Sequence, residues 1–185
     1  MKSSLGNMVL SLTVLTAIAG AALGAVNLVT AEPIADAAKR ARLEAMEAVL
    51  PAFDNDIVAS AVKCDDGSTV YPASFEGRSC GAAVESFSDN GFSGRIAVLV
   101  GFDADGAVSG YRILSHSETP GLGAKAVDWF EIAPHDIRGR SGDLAVGKDG
   151  GDIDAITGAT ITSRAFLEAV NRARAHYMTF KNSKR

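Results

Sequence analysis

The feature that most constrains this chain is an uncharged run of 29 residues near its start, from position 3 to position 31. Its apolar centre begins at Met8 and is rich in Leu, Val, Ile and Ala. Because a helix rises about 1.5 Å per residue, about 20 such residues cross the hydrocarbon core of a bilayer. The run therefore predicts that residues 1–31 form a cytoplasmic tip followed by a transmembrane anchor.

The same run also fits a cleaved signal peptide, since Val29 and Ala31 place small residues where a cleavage site needs them. The run is longer than the about 7 to 15 apolar residues of a usual signal core, and this favours an uncleaved anchor. Lys2 precedes the run and Glu32 follows it, which favours a cytoplasmic N-terminus. With either outcome, the remainder of the chain is exported.

Residues 32–51 predict a stalk helix that continues from the anchor. Pro33 suits a first helical turn, and strong helix formers follow it up to Pro51. Leu43, Met46 and Leu50 fall on one helical face. We therefore expect the stalk to pack onto a domain formed by residues 52–185.

The exported residues indicate an α+β fold. Residues 64–94 are rich in Gly, Ser, Asp and Asn, including a turn-like Ser-Asp-Asn-Gly at 88–91, which is typical of short strands joined by turns. Two β-rich runs, 95–102 and 107–114, flank an Asp/Gly turn and predict a hairpin. Helices are expected over 124–130 and 163–177, and the second has an apolar face of Phe166, Leu167, Val170 and Tyr177. The predicted architecture is a transmembrane helix followed by one domain with an antiparallel sheet and flanking helices.

Composition and spacing argue against several classes of function. A formal net charge of −4 is not that of a nucleic-acid-binding protein. The two cysteines and three histidines have none of the spacings of zinc, haem or iron–sulfur ligands, so no metal site is predicted. No G-x-S-x-G elbow supports a hydrolase around His116 and Ser117. The G-x-G-x-x-A pattern at 121–126 lacks the strand-to-helix context of a dinucleotide-binding fold. No catalytic residue is predicted.

The most informative segment is Asp-Ala-Ile-Thr-Gly-Ala-Thr at residues 154–160, directly before the last predicted helix. Free backbone N–H groups and the helix dipole favour an anion such as phosphate at this position. Gly158 and Ala159 leave the Thr160 hydroxyl accessible. The same residues also suit a Thr/Ser-rich helix cap that binds no ligand, so the residues alone leave both interpretations open.

This segment resembles the D-x-x-[ST]-G-A-T motif at which flavin transferases attach FMN, through a phosphoester, to the final threonine. Residues 117–123, Ser-Glu-Thr-Pro-Gly-Leu-Gly, with Lys125 after them, resemble the second signature of the same covalent FMN-binding domain family. Residues 91–103 are similar to its central strands. Together with the apolar run, this order resembles the G subunit of Rnf-type ion-translocating electron transport complexes. Ala124 departs from the pattern, in which this position is often acidic.

The resemblance implies a role for each matching residue. Thr160 would carry the covalent FMN, and Asp154 would be recognised by the flavin transferase. The other FMN contacts would be Glu118, Thr119, Leu122, Gly123, Thr157, Gly158 and Ala159. Separately, Cys64 and Cys80 are a candidate disulfide of an exported domain, and two free thiols are the alternative.

The resemblance further implies a membrane-anchored electron-transfer subunit without independent turnover. It would belong to an Rnf-type complex that couples ferredoxin:NAD electron transfer to ion translocation, with other membrane and redox subunits as partners and the transferase needed for maturation. It would cross the bacterial cytoplasmic membrane once, with the flavin domain on the periplasmic side. The alternatives are the C subunit of a sodium-translocating NADH:quinone reductase, which is generally longer, a stand-alone FMN-dependent reductase, and a non-redox membrane-anchored binding module.

Overall fold

The computed structural model describes residues 5–183. Lys2, on which the predicted membrane orientation depends, and the start of the predicted cytoplasmic tip lie outside these residues. The helices are α1 (Leu5–Val49), α2 (Ala126–Trp129) and α3 (Thr160–Ser183), with 3-10 turns at Gly123–Lys125 and Gly147–Asp149. The strands are β1 (Val62–Lys63), β2 (Thr69–Phe75), β3 (Arg78–Gly91), β4 (Gly94–Asp103) and β5 (Val108–Ser115).

Helix α1 contains the described part of the apolar run and most of the predicted stalk, and Pro33 lies inside it. Its most apolar 18-residue window has a mean hydropathy of 2.1, and none of that window is buried by the protein. By length and composition this helix can cross a membrane. Large apolar side chains exposed over several turns are unfavourable in water, and a bilayer removes that cost. The chain divides at Leu43, and the residues from Glu44 onward form a separate compact unit.

Five antiparallel strands form one sheet in the order β1-β2-β3-β4-β5. The predicted hairpin is confirmed as β4 and β5. Its turn is held by the Asp103 carboxylate, which accepts hydrogen bonds from the backbone N–H groups of Asp105, Gly106 and Ala107 at 3.0, 2.8 and 2.9 Å. The α+β class is confirmed as well.

Residues 64–94 form strands joined by turns, as predicted, but β3 is not short: residues 88–91 end this 14-residue strand, and the turn follows at 92–93. These turn-forming side chains are accommodated in the strand because α3 supplies their hydrogen-bond partner. Ser88 Oγ and Asn90 Nδ2 both donate to Glu168 Oε2, at 2.9 and 2.8 Å. A register shift between Ser88 and Gly91 marks the irregularity, and the chain reverses over residues 91–94.

Helix α3 covers one face of the sheet and is longer than predicted. The predicted apolar face is confirmed, since Phe166, Leu167, Val170 and Tyr177 are all buried. Phe166 stacks on Phe130 with ring centroids 4.4 Å apart, and Tyr177 stacks on Phe102 at 5.1 Å. Fully burying each such side chain stabilises the fold by roughly 1.5–3 kcal/mol. This packing fixes the first turn of α3 against the sheet.

The final turn of α1 docks on two paired glycines, Gly101 of β4 and Gly110 of β5. A Cβ on Gly101 would lie 1.9 Å from the Val49 carbonyl oxygen, and one on Gly110 would lie 3.1 Å from the Val49 Cα. Ser109 Oγ donates to that same carbonyl at 2.5 Å. Met46 and Leu50 are buried, as their spacing predicts.

The candidate disulfide is not formed, and Cys64 and Cys80 are free thiols. Cys64 pairs with Ser68 before β2, whereas Cys80 lies beside Ala73 and Ser74 near the other end of that strand. At about 3.3 Å per residue the two cysteines are roughly 17–20 Å apart along the sheet, well beyond the span of a disulfide. Burial is the main cause that raises the pKa of each thiol.

We predict that Gly101→Ala lowers the free energy of unfolding by about 1–3 kcal/mol, because the new methyl group overlaps the Val49 carbonyl. Urea unfolding of the full chain in detergent, followed by the fluorescence of the single tryptophan, measures this change. Gly147→Ala is the control, since no atom lies within 4 Å of its added Cβ. Equal stability of the two variants would contradict the docking described above.

Candidate functional site

A cavity of about 280 Å³ opens where three segments meet: the β3–β4 turn, the signature loop (residues 117–123) and the first turn of α3. The signature loop follows β5 directly, and α3 follows the attachment segment (residues 154–160). The cavity is lined by Phe92, Glu118, Thr119, Leu122, Gly123, Gly158, Ala159, Thr160, Ile161 and Thr162. Packing therefore brings the two sequence motifs to one place.

Glu118 joins the three segments. Its side chain is 5% exposed, and its Oε1 accepts a hydrogen bond from the Ser93 backbone N–H at 3.0 Å. Its Oε2 accepts from Thr162 Oγ1 at 2.5 Å. The Glu118 backbone N–H donates to His116 Nδ1 at 3.2 Å, and this hydrogen bond orients the start of the signature loop. Within residues 5–183, Glu118 has no cationic side chain as a partner.

Gly123 permits this close packing. A Cβ at this position would lie 2.6 Å from Thr162 Oγ1 and 2.7 Å from Glu118 Oε2. The following helix α2 is fixed to the sheet by Tyr111, whose hydroxyl donates to the Ala126 carbonyl at 2.9 Å and accepts from the Phe130 N–H at 3.2 Å. Burial raises the pKa of Tyr111, so its phenol remains a neutral donor.

The attachment segment is folded back onto α3 by Ser163. The hydroxyl of this fully buried serine accepts from the Ile156 N–H at 2.9 Å and donates to the Ala159 carbonyl at 3.0 Å. Gly158 adopts a left-handed backbone conformation, with φ of +78°, which favours glycine. The first backbone hydrogen bond of α3 runs from Ser163 N–H to Ala159 at 3.0 Å. The N–H groups of the preceding residues 160–162 are therefore free to bind an anion.

Thr160 is the first residue of α3 and is partly exposed. Among residues 5–183 its hydroxyl has no hydrogen-bond partner. It also borders a second cavity of about 460 Å³, which Lys148 and Thr157 line on the other side of the attachment segment. The loop that carries Lys148 is tied to α3 by the ion pair of Asp149 with Arg164 at 2.6 Å, and this hydrogen-bonded pair lowers the pKa of Asp149.

Asp154 lies at the edge of the second cavity, and its carboxylate is 72% exposed. Its backbone carbonyl accepts a hydrogen bond from Trp129 Nε1 at 3.0 Å. The side chain is thus open to a macromolecular partner while the backbone is fixed.

The predicted site residues divide between the two cavities. Those on the first cavity are Glu118, Thr119, Leu122, Gly123, Gly158, Ala159 and Thr160. Thr157 and Asp154 lie on the second, and Gly158 and Thr160 line both. The two cysteines are elsewhere in the fold. No cluster of His, Cys, Asp and Glu that could hold a metal occurs in the described part of the chain.

Phe92, Ile161, Thr162 and Lys148 line these cavities and were not predicted. Phe92 and Ile161 are 67% and 49% exposed at the mouth of the first cavity. Phe92 lies between Gly91 and Gly94 in a tight turn. An isolated apolar residue in such a turn was a usable signal in the sequence, because a turn leaves its side chain exposed. Lys148 carries no signal in sequence, because its approach to residue 160 arises only from tertiary folding.

Comparison with known protein families matches the part of the chain that carries both motifs. The model of a family described as FMN-binding domain matches residues 91–175, which include the β3–β4 turn, both motifs and most of α3. The resemblance to the FMN-binding domain family is therefore confirmed.

Curated relatives extend the similarity toward the N-terminus. The chain is 38% identical over 169 residues to the G subunit of the ion-translocating oxidoreductase complex of Escherichia coli (strain K12), covering 84% of this chain and 82% of the relative. It is 34% identical over 185 residues to the protein of that name from Photorhabdus laumondii, covering 92% and 88%. The same-named protein of Aliivibrio fischeri (strain ES114) is 45% identical over 117 residues, covering 60% of this chain. The chain spans about 55% of the length of that relative.

Proposed function

Because the chain belongs to the family of the G subunits of ion-translocating oxidoreductase complexes and contains an FMN-binding domain, we propose that it is a membrane-anchored electron-transfer subunit with FMN bound covalently to Thr160. The observation that carries the proposal is the convergence of the two motifs. Four residues of the signature loop and residues 158–160 line one cavity, although about 40 positions separate the two motifs in sequence.

The residues present fit an FMN group. The cavity beside Leu122 and Ile161 has apolar walls suited to a flat aromatic ring. The N-terminus of α3 offers free N–H groups to a phosphate, and a phosphodiester with about one negative charge is stabilised by the helix dipole. Gly158, whose added Cβ would lie 3.4 Å from Leu122, leaves room between the first cavity and Thr160.

Each predicted contact then has a role in the proposed FMN-bound domain. Leu122 and Thr119 line the first cavity and would flank the ring, and Glu118 would form the wall beside it. Gly158 and Ala159 hold the phosphate end next to Thr160. Thr157 and Lys148 border the second cavity and would offer polar partners to the phosphate and ribityl groups.

The attachment step requires an activated flavin donor, for which we name a flavin dinucleotide such as FAD. A bond forms between phosphorus and Thr160 Oγ1, the P–O bond of the dinucleotide breaks, and a nucleoside monophosphate leaves while the hydroxyl proton is released. Within residues 5–183 no side chain accepts a hydrogen bond from this hydroxyl. In this proposal the flavin transferase supplies the general base, and the domain contributes position and accessibility.

When bound, FMN supplies the one- and two-electron chemistry that no side chain of this domain provides. The protein would orient the ring and hold it permanently, and the exposed Phe92 lies at the mouth of the cavity that would contain it. A cofactor fixed in this way would suit a relay between neighbouring redox subunits better than turnover of a diffusing substrate.

In the whole assembly, we place this subunit in an Rnf-type complex that transfers electrons between ferredoxin and NAD and couples this transfer to ion movement. Helix α1 anchors it in the bacterial cytoplasmic membrane, with the domain on the periplasmic side. The names of the relatives support membership of a multi-subunit complex, and the apolar helix supports the anchor.

We predict that Thr160→Ala abolishes covalent flavin, whereas Thr160→Ser retains it, because serine keeps a hydroxyl at the N-terminus of α3. The full chain is produced together with a flavin transferase, denatured, and examined for flavin fluorescence and an FMN-sized increase in mass. If flavin remains on Thr160→Ala but is lost from Thr157→Ala, the attachment site is Thr157 and our assignment to Thr160 is wrong.

We also predict that Glu118→Gln raises the midpoint potential of the bound flavin, by on the order of tens of millivolts, because removing a nearby negative charge favours the reduced form. Glutamine can still accept from Ser93 N–H and can donate to Thr162, so the cavity wall is preserved. Spectroelectrochemical titration of the matured full chain measures the potential.

Asp105→Asn is the control for this experiment. It also removes one carboxylate, in this case an exposed one, but the turn that holds it contacts Tyr177, about 25 Å along α3 from Thr160. An equal potential for Glu118→Gln and wild type would show that the Glu118 charge does not reach the flavin.

A further inference from the structure

A small assembly outside the flavin cavity holds the start of the attachment segment. It consists of Trp129, at the end of α2, and His135, six residues later, both packed beside Asp154. Trp129 Nε1 donates to the Asp154 carbonyl at 3.0 Å, so the backbone of Asp154 is fixed by an indole that comes from another part of the chain.

His135 supports the indole from the other side. The two rings stack with centroids 4.1 Å apart and planes inclined by 10°. The Nδ1 atom of His135 is buried without a hydrogen-bond partner, and the nearest acidic oxygen, Asp154 Oδ2, lies 3.6 Å away. An unpaired buried ring nitrogen is unfavourable, and a small movement of the Asp154 carboxylate provides a partner.

The assembly is itself rigidly mounted. Tyr111 binds α2 to the sheet through the Ala126 carbonyl and the Phe130 N–H, and Phe130 stacks on Phe166 of α3. The position of the Asp154 carbonyl is therefore set by both the sheet and α3. At the other end of the segment, Ser163 holds residues 156 and 159.

The consequence concerns maturation. A transferase that acts on a flexible peptide must order it on binding, which weakens the interaction, whereas a preformed segment avoids that cost. Resting on the proposed function, we propose that Trp129 and His135 are positioning residues for flavin attachment: they hold Asp154 in the geometry that the flavin transferase recognises.

The test measures the initial rate of covalent FMN incorporation into the full chain in detergent, with purified flavin transferase and FAD. Trp129→Phe keeps an aromatic ring for His135 but removes the N–H donor. We expect kcat/KM to fall about two- to ten-fold, the effect of one neutral hydrogen bond, while the end point stays at one FMN per chain. His135→Ala lowers kcat/KM in the same direction. Ile132→Ala, an exposed residue of the same loop, is the matched control and matures at the wild-type rate.

A double-mutant cycle separates positioning from general structural damage. If Trp129 acts through Asp154, Trp129→Phe has no further effect in an Asp154→Asn background. Should that background be too slow to follow, Asp154→Glu keeps a displaced carboxylate and serves instead. If Trp129→Phe leaves the rate unchanged, or lowers it equally in both backgrounds, the inference is wrong and the proposed function stands. A wild-type chain that acquires no covalent flavin overturns the proposed function, and the inference with it.

Discussion

The buried carboxylate of Glu118 is the contact on which the geometry of the site depends. It receives the Ser93 N–H and the Thr162 hydroxyl, so one side chain joins the β3–β4 turn, the signature loop and the start of α3. Hydrogen bonds to a charged group contribute roughly 1.5–3 kcal/mol each, and losing either donor leaves a buried charge poorly compensated. The three segments are consequently held in one arrangement, with Gly123 supplying the space.

Around this contact the domain is organised for position rather than for chemistry. Ser163 and the left-handed Gly158 bring Thr160 to the first turn of α3, and Trp129 fixes the segment at its other end. In the proposed function these contacts act once, during attachment, and afterwards hold a cofactor that does not dissociate. The domain therefore needs little binding affinity for free FMN, and its contacts orient the ring and set its electrostatic surroundings.

Local patterns in the sequence predicted much of this architecture. The Asp/Gly turn predicted the β4–β5 hairpin because Asp103 binds its own turn, and the spacing of Phe166 and Val170 predicted the buried face of α3. Long-range contacts explain the failures and omissions. Ser88 is in a strand because Glu168, eighty residues away, binds its hydroxyl. The Trp129 indole likewise reaches the attachment segment only in the folded chain, which no spacing rule shows.

The central claim is that the flavin is joined to Thr160 and lies in the cavity between the two motifs. An experimental density map of the matured full chain tests it most directly. The account predicts continuous density from Thr160 Oγ1 to phosphorus, and a ring beside Leu122 and Glu118. Phosphorus bonded to another hydroxyl, or a ring lying outside this cavity, would contradict it.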